Sequence, residues 1–155
     1  MLLAKVRPST VVFNNLISGL SRSGHAHRAF KYFNDLKKRD LPPSNHTYAS
    51  LFRAFTEMGP SSRPLLEKVV SEVDRRDFLL NTIATNSLMV AMTTCGMTDE
   101  VFGAYGDMSR RREAPDVNTF TVLLTACSQD QTRGMERVEH VWREMTALGV
   151  TPDLV

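Results

Sequence analysis

Val11-Val12-Phe13-Asn14-Asn15-Leu16-Ile17-Ser18-Gly19-Leu20, followed by Ser23-Gly24, Arg28-Ala29-Phe30-Lys31-Tyr32-Phe33-Asn34-Asp35-Leu36 and Pro42-Pro43-Ser44, is the stretch on which the fold turns. Phe13, Leu16, Ile17 and Leu20 fall on one face of a 3.6-residue period, and Gly24 closes that run. Ala29, Phe30, Phe33 and Leu36 make a second apolar stripe. Pro42-Pro43 ends it, because proline lacks an N–H and restrains the residue before it. The spacing predicts two helices joined by a tight turn, neither able to bury its stripe alone.

The same pattern recurs. The pairs Leu16-Ile17, Leu51-Phe52, Leu88-Met89 and Leu123-Leu124 begin 35, 37 and 35 residues apart. Three positions earlier stand Phe13, Tyr48, Thr85 and Phe120, and eight positions later Gly24, Gly59, Gly96 and then Gln131. In the second halves, Ala29, Leu66, Val101 and Val138 are spaced 37, 35 and 37, as are Phe33, Val70, Tyr105 and Trp142, and Leu36, Val73, Met108 and Met145. The changed interval places two-residue insertions between the halves of the second and fourth units, at Pro60-Ser61-Ser62 and near Gln129 to Gly134. Pro43, Pro115 and Pro152 close three units, and Leu80 stands at that place in the second. The units are 10–44, 45–81, 82–116 and 117–153, within one repeat domain over 1–155. Residues 1–9 and 154–155 read as remnants of flanking units, so the chain is expected to be a slice of a longer array. Strand-type alternation is not sustained anywhere. The fold expected is all-α, a right-handed α-solenoid of helix-turn-helix repeats, in which stacking of neighbours makes one continuous core.

Bulk properties narrow the function. Of 155 residues, 42% are hydrophobic and 23% charged, enough for a packed core and unlike a disordered chain. The net charge of +2 permits a polyanionic partner without demanding one. No apolar run is long enough to span a bilayer. Two cysteines, Cys95 and Cys127, make no disulfide framework and suggest a reducing compartment. His25 and His27 lack the further ligands of a zinc site. No Ser-His-Asp order, Gly-rich phosphate loop or paired-carboxylate motif is evident, and Asp99-Glu100 suits a helix start, so neither enzymatic activity nor a cofactor is expected.

Each unit resembles the pentatricopeptide repeat family. The first carries the phrases quoted above, and the fourth ends Glu144-Met145-Thr146-Ala147-Leu148-Gly149-Val150-Thr151-Pro152-Asp153, close to the family's closing phrase. The tetratricopeptide signature of Trp, Leu-Gly and Tyr in the first helix is absent; Trp142 lies in a second helix. The resemblance implies single-stranded RNA binding, one base per unit, along a surface lined by the first helices. It implies that two side chains read each base: the residue after the aromatic of the first helix, and the residue after the closing proline. The reading pairs are then Asn14 with Ser44, Ala49 with Asn81, Asn86 with Asp116, and Thr121 with Asp153. A residue three before the first reader packs on the base: Val11, His46, Ile83 and Asn118. The family's pairing rules make Asn-Ser a cytosine reader, Asn-Asp a uracil reader and Thr-Asp a guanine reader, while apolar Ala49 leaves its unit weakly selective or silent. The implied site is C-N-U-G, 5′ to 3′. His46 and Asn118 depart from the usual aliphatic packing residue.

A second reading of these residues stands beside the first. Asn14, Asn86 and Thr121 lie near helix starts, where short polar side chains often serve backbone hydrogen bonds, and Asp116 and Asp153 follow prolines, where aspartate is a common turn or cap residue. Recurrence in register favours base reading. Lys37-Lys38-Arg39, Arg75-Arg76 and Arg110-Arg111-Arg112 fit the negative ends of second helices better than phosphate clamps. Arg22, late in a first helix, is the better phosphate candidate, with Glu57, Thr94 and Gln129 at its equivalents. Divergent, insertion-bearing repeats look more like the family's animal mitochondrial members than its regular plant arrays. The resemblance therefore implies work in the mitochondrial matrix, less so in plastids, on organellar mRNA, a tRNA precursor or rRNA, in processing, stability or translation. The rival is a protein-binding or ribosome-associated scaffold without base readout. Apolar stripes on the terminal units would favour self-association.

Overall fold

A computed structural model of the chain describes residues 7–152. Asp153, Leu154, Val155 and residues 1–6 lie outside the described residues. Eight α-helices follow in order: α1 (Thr10–Arg22), α2 (Ala26–Lys38), α3 (Asn45–Met58), α4 (Arg63–Arg75), α5 (Thr82–Thr94), α6 (Thr98–Arg110), α7 (Val117–Gln129) and α8 (Gly134–Ala147). There is no strand among the described residues. Odd helices are the first helices of the four units and even helices the second.

The turns are set by backbone chemistry that repeats with the sequence. Gly24, Gly59 and Gly96 end the first helices at φ of 74°, 77° and 69°, a left-handed conformation that glycine enters without a Cβ penalty. At the ends of α2, α4, α6 and α8 the same conformation falls on Asp40, Asp77, Arg112 and Gly149. In each case the next residue's N–H reaches back to a carbonyl five residues earlier: Leu41 to Leu36, Phe78 to Val73, Glu113 to Met108 and Val150 to Met145. The expected insertions occupy two turns. Gly59–Ser62 is a single 3-10 turn leading into α4. Residues 130–133 are a turn held by Asp130, whose carboxylate accepts the N–H groups of Thr132 and Arg133, each at 3.0 Å, and the Thr132 hydroxyl at 2.8 Å. These bonds, led by the Arg133 N–H and assisted by the Arg137 guanidinium, hold the Asp130 carboxyl down to about 2.

First helices pack side by side, α1 on α3, α3 on α5 and α5 on α7, while α2, α4 and α6 each pack on the following first helix. Second helices meet one another through side chains. Lys37 of α2 pairs with Glu72 of α4 at 2.5 Å, and Arg137 of α8 pairs with Asp99 of α6 while lying 4.7 Å from the Phe102 ring centre. One core runs through the stack from Ile17 to Met145. Gly134 opens α8 where a Cβ would stand 2.5 Å from the Cys127 carbonyl oxygen, so only glycine allows α8 this close to α7. Cys95 and Cys127 are buried, as packing residues would be, and burial pushes the Cys127 thiol upward.

The column Phe33, Val70, Tyr105, Trp142 does not behave uniformly. Phe33 meets Tyr48 of the next unit edge-on, with ring centres 5.7 Å apart, and Tyr105 meets Phe120 at 6.1 Å. At the intervening joint both partners are small, Val70 and Thr85. A cleft of about 550 Å³ remains there, walled by α4 and α6, with Leu88 and Met92 among its lining. Trp142, read from sequence as a member of this stripe, is 53% exposed. Its side chain occupies the face that a following first helix covers in the earlier units. Leu16 is exposed for the mirror-image reason, lying on the face of α1 that preceding first helices cover in α3, α5 and α7.

Candidate nucleic-acid interface

The N-termini of the first helices assemble the candidate site. Ser44, Asn81 and Asp116 are the N-caps of α3, α5 and α7, each accepting the N–H three residues on: Thr47 at 3.3 Å, Ala84 at 2.9 Å and Thr119 at 2.9 Å. In α3 and α7 the cap is reciprocal, because Thr47 and Thr119 hydroxyls accept from the Ser44 and Asp116 N–H groups at 2.9 and 3.1 Å. The cap reading of Asp116 is therefore correct, and it coexists with a second role.

That second role joins neighbouring units. Asn14 donates from Nδ2 to Ser44 Oγ at 3.4 Å, and its Oδ1 accepts from the Thr47 hydroxyl. Asn86 repeats the arrangement more tightly, donating to Asp116 Oδ1 at 3.0 Å and accepting from the Thr119 hydroxyl at 2.8 Å. So neither asparagine serves its own helix backbone; each spans the joint to the next unit. Burial pulls the Asp116 carboxyl up, but the Thr119 N–H, the Asn86 amide and the Asn118 N–H outweigh it and hold it below the usual carboxylate value. Asp116 is thus an acceptor only. Asn86 is 8% exposed, so what it presents outward is the second N–H of Nδ2.

The second and fourth units differ. Ala49 has no amide to offer, and at the place of Thr47 and Thr119 its joint carries Ala84. Asn and Thr occur together at two joints, and Ala and Ala at the third. Sequence reading had not singled out Thr47 and Thr119, although Ser44-x-x-Thr47 and Asp116-x-x-Thr119 are legible capping signals. Thr121 bonds its own helix, its hydroxyl donating to the Val117 carbonyl at 2.9 Å, and its partner Asp153 lies outside the described residues.

Beside these pairs runs an exposed column of Val11, His46, Ile83 and Asn118. Val11 and Ile83 are 65% and 69% exposed, although each lies within an ordered helix next to buried neighbours. Arg22 projects at the end of α1, exposed, with no ion pair among the described residues. The basic clusters on second helices are partly engaged by carboxylates of those helices: Lys37 and Arg76 with Glu72, Lys38 with Asp35, Arg110 with Asp107. None of the described helices is long and apolar enough to cross a membrane.

Helical hairpins stacked on a shared row of first helices, with polar pairs at the joints, define a helical-repeat solenoid. Its family follows from comparison: the sequence model of the PPR repeat family matches residues 8–57 and 80–129, and the chain belongs to that family. It is 32% identical to mouse pentatricopeptide repeat-containing protein 1, mitochondrial, and 29% identical to the human protein of that name, over 96% of this chain in both cases. The chain spans 22% and 21% of those proteins, about a fifth of their length. Among solved structures, it resembles the pentatricopeptide repeat protein PPR10 in complex with an 18-nt psaJ RNA element, with a TM-score of 0.79, 24% identity, and coverage of 98% of this chain and 22% of that one. It also resembles the PPR domain of Arabidopsis thaliana protein-only RNase P 1 in complex with tRNA, with a TM-score of 0.73, 14% identity, and coverage of 95% and 76%. These likenesses establish the helical-repeat fold.

Proposed function

We propose that the chain is a non-enzymatic module for single-stranded RNA, reading about one base per unit as C-N-U-G, with 10–44, 45–81, 82–116 and 117–153 as its units. The observation that carries this reading is the recurrence, in two joints, of an asparagine pinned against the next helix's cap beside an exposed aliphatic residue. Pre-organised polar groups next to an unburied apolar contact suit a planar ligand with a hydrogen-bonding edge.

The two pinned pairs differ in the sense that separates the pyrimidines. Cytosine N3 is an acceptor, and the Ser44 O–H can donate to it by turning from the Thr47 hydroxyl oxygen 3.1 Å away. Uracil N3 carries a proton, and the Asp116 carboxylate can only accept. In both, the free N–H of the asparagine meets the exocyclic carbonyl oxygen O2, while Val11 or Ile83 packs on the base. Thr121 with Asp153 would take guanine. Arg22 would contact phosphate, and with little further positive charge on this face the binding would be weak and salt-sensitive.

PPR10 and protein-only RNase P 1 are described in complex with RNA, and the mouse and human relatives are named mitochondrial. By that likeness the RNA is organellar mRNA, a tRNA precursor or rRNA, in the mitochondrion, and the role is processing, stability or translation.

A scaffold role is the competing reading. It is favoured by the burial of Asn86 and the engagement of its oxygen by Thr119, which a purely structural joint would also show. Titration of the chain at low salt with short RNAs containing C-N-U-G, and with versions changed at one base, separates the two. Base reading requires weaker binding when U is changed, and loss of that discrimination in Asn86→Ala. Equal binding to every RNA by both proteins would exclude it.

A further inference from the structure

The second unit lacks the asparagine of the first and third, yet its helix face is not empty. His46, Ala49 and Arg53 lie on one stripe of α3, at positions i, i+3 and i+7. His46 and Arg53 are exposed and Ala49 is half-buried. Side chains on a helix lean toward its N-terminus, so Arg53 covers the surface over Ala49, roughly 6 Å away along the axis and within reach of a guanidinium. The matching positions hold Ser18, Val90 and Thr125, none of which has that reach or charge.

Arg53, like Arg22 and Arg28, has no hydrogen-bond or ion-pair partner among the described residues, so its guanidinium is available to a ligand, as those of Arg63, Arg76 and Arg137, all paired, are not. Glu57 lies one turn further on the same stripe, exposed and unpaired with Arg53 among the described residues. Its negative charge disfavours a phosphate at that end of the helix, leaving the base edge as the better target. The other half of the pair points the same way. Asn81 spends its Oδ1 on the Ala84 N–H at 2.9 Å, so Nδ2 is what it offers outward. The second unit therefore offers the Asn81 amide N–H and the Arg53 guanidinium as donors, with the flat imidazole of His46 beside them.

We propose that this unit takes a guanine, whose adjacent O6 and N7 accept from the Arg53 guanidinium while its ring stacks on His46. The inference rests on the base-reading function proposed above, and turns C-N-U-G into C-G-U-G.

The test is fluorescence anisotropy of the whole chain with five labelled RNAs, C-N-U-G with N as G, A, C or U and C-G-A-G to read the third position, using wild type, Arg53→Ala and Arg53→Lys. Both substitutions are on an exposed face, and unchanged melting curves check the fold. Guanine is expected to bind about fivefold or more tightly than the others, since a bidentate arginine contact discriminates by at least that factor. Arg53→Ala and Arg53→Lys should both erase the preference, because lysine keeps the charge but not the fork. Equal binding of the four C-N-U-G RNAs, or preference for another base, overturns the assignment while a surviving U requirement at the third position leaves base reading intact. A uniform loss in Arg53→Ala, restored by lysine, would make Arg53 a phosphate contact and overturns it as well. Loss of discrimination at every position refutes both readings together.

Discussion

Thr119→Val removes one hydroxyl from the tightest of the joints and leaves its shape nearly unchanged. Thr119 is fully buried. Its single hydroxyl proton goes to Asn86 Oδ1 at 2.8 Å, since Asp116 Oδ1 already receives an amide N–H from each of Asn86 and Thr119; its lone pair takes the Asp116 N–H at 3.1 Å. In the variant, a buried amide oxygen is left without a donor, at a cost of about 1–3 kcal/mol. Half of a capping box goes with it, for roughly another 0.5–1 kcal/mol. The added methyl offsets a fraction of this by its own burial, ~0.8 kcal/mol. The net expected is about 2 kcal/mol, a fall in melting temperature of roughly 4–8 °C for a chain of this size. Thermal unfolding followed by circular dichroism reads it directly. The same change made in an Asn86→Ala background should cost only the cap's share, about 1 kcal/mol or less, because the oxygen it would orphan is already gone. A shift under about 1 °C, or equal shifts in the two backgrounds, would refute the claim that Thr119 pins Asn86.

Three other expectations follow from the fold. Gly134→Ala places a Cβ 2.5 Å from the Cys127 carbonyl oxygen and should lower the urea midpoint by the equivalent of about 1–3 kcal/mol, whereas Gly19→Ala, with nothing within 4 Å of its Cβ in mid-helix, should raise it by about 0.5–1 kcal/mol; the same sign for both would count against the close α7–α8 approach. Val70→Phe should raise the melting temperature, by roughly 1 kcal/mol of extra burial in the α4–α6 cleft, and a fall would show that the cleft cannot accept a ring. Asp130, held down to about 2, titrates below an unfolded aspartate, which titrates near 3.9; its contribution is whole above that value and lost as pH falls from about 4 towards 2. Asp130→Asn should therefore be less stable at pH 7 and lose less on acidification, and a parallel acid limb would argue against the turn's dependence on this carboxylate.

The helical layout was open to sequence reading because core columns and turn glycines recur in step, so each copy corroborates the others. Ile17, Phe52 and Met89 are fully buried where the period puts them, and Gly24, Gly59 and Gly96 take the left-handed turns. Features that depend on what lies across a joint were harder to read. Trp142 and Leu16 fit the apolar pattern and yet are exposed, because pattern records which face is apolar and not whether a neighbour covers it. The cleft at Val70 and Thr85 needed both sides of the joint to be compared at once. At the candidate site, the pairing of residues thirty apart came from resemblance, and the threonines that fix the asparagines emerged only when the two helices were seen together. Arg53 is hard to read for a different reason: an arginine on a polar face looks like a solvated one until the missing amide at Ala49 and the cap bond of Asn81 are set beside it.

The threonines also change what counts as a portable piece. By sequence a unit stops at Ser44 or Asp116, but the atom that holds its asparagine belongs to Thr47 or Thr119, inside the first turn of the next helix. A segment excised at the loops and transplanted would arrive with its reader unfastened unless the recipient helix supplied a hydroxyl at that place. Recombination among such arrays would then carry a grammar at every junction, in which Asn before the boundary calls for Thr after it. The joint with Ala49 and Ala84 is where this chain has dropped both words of that phrase.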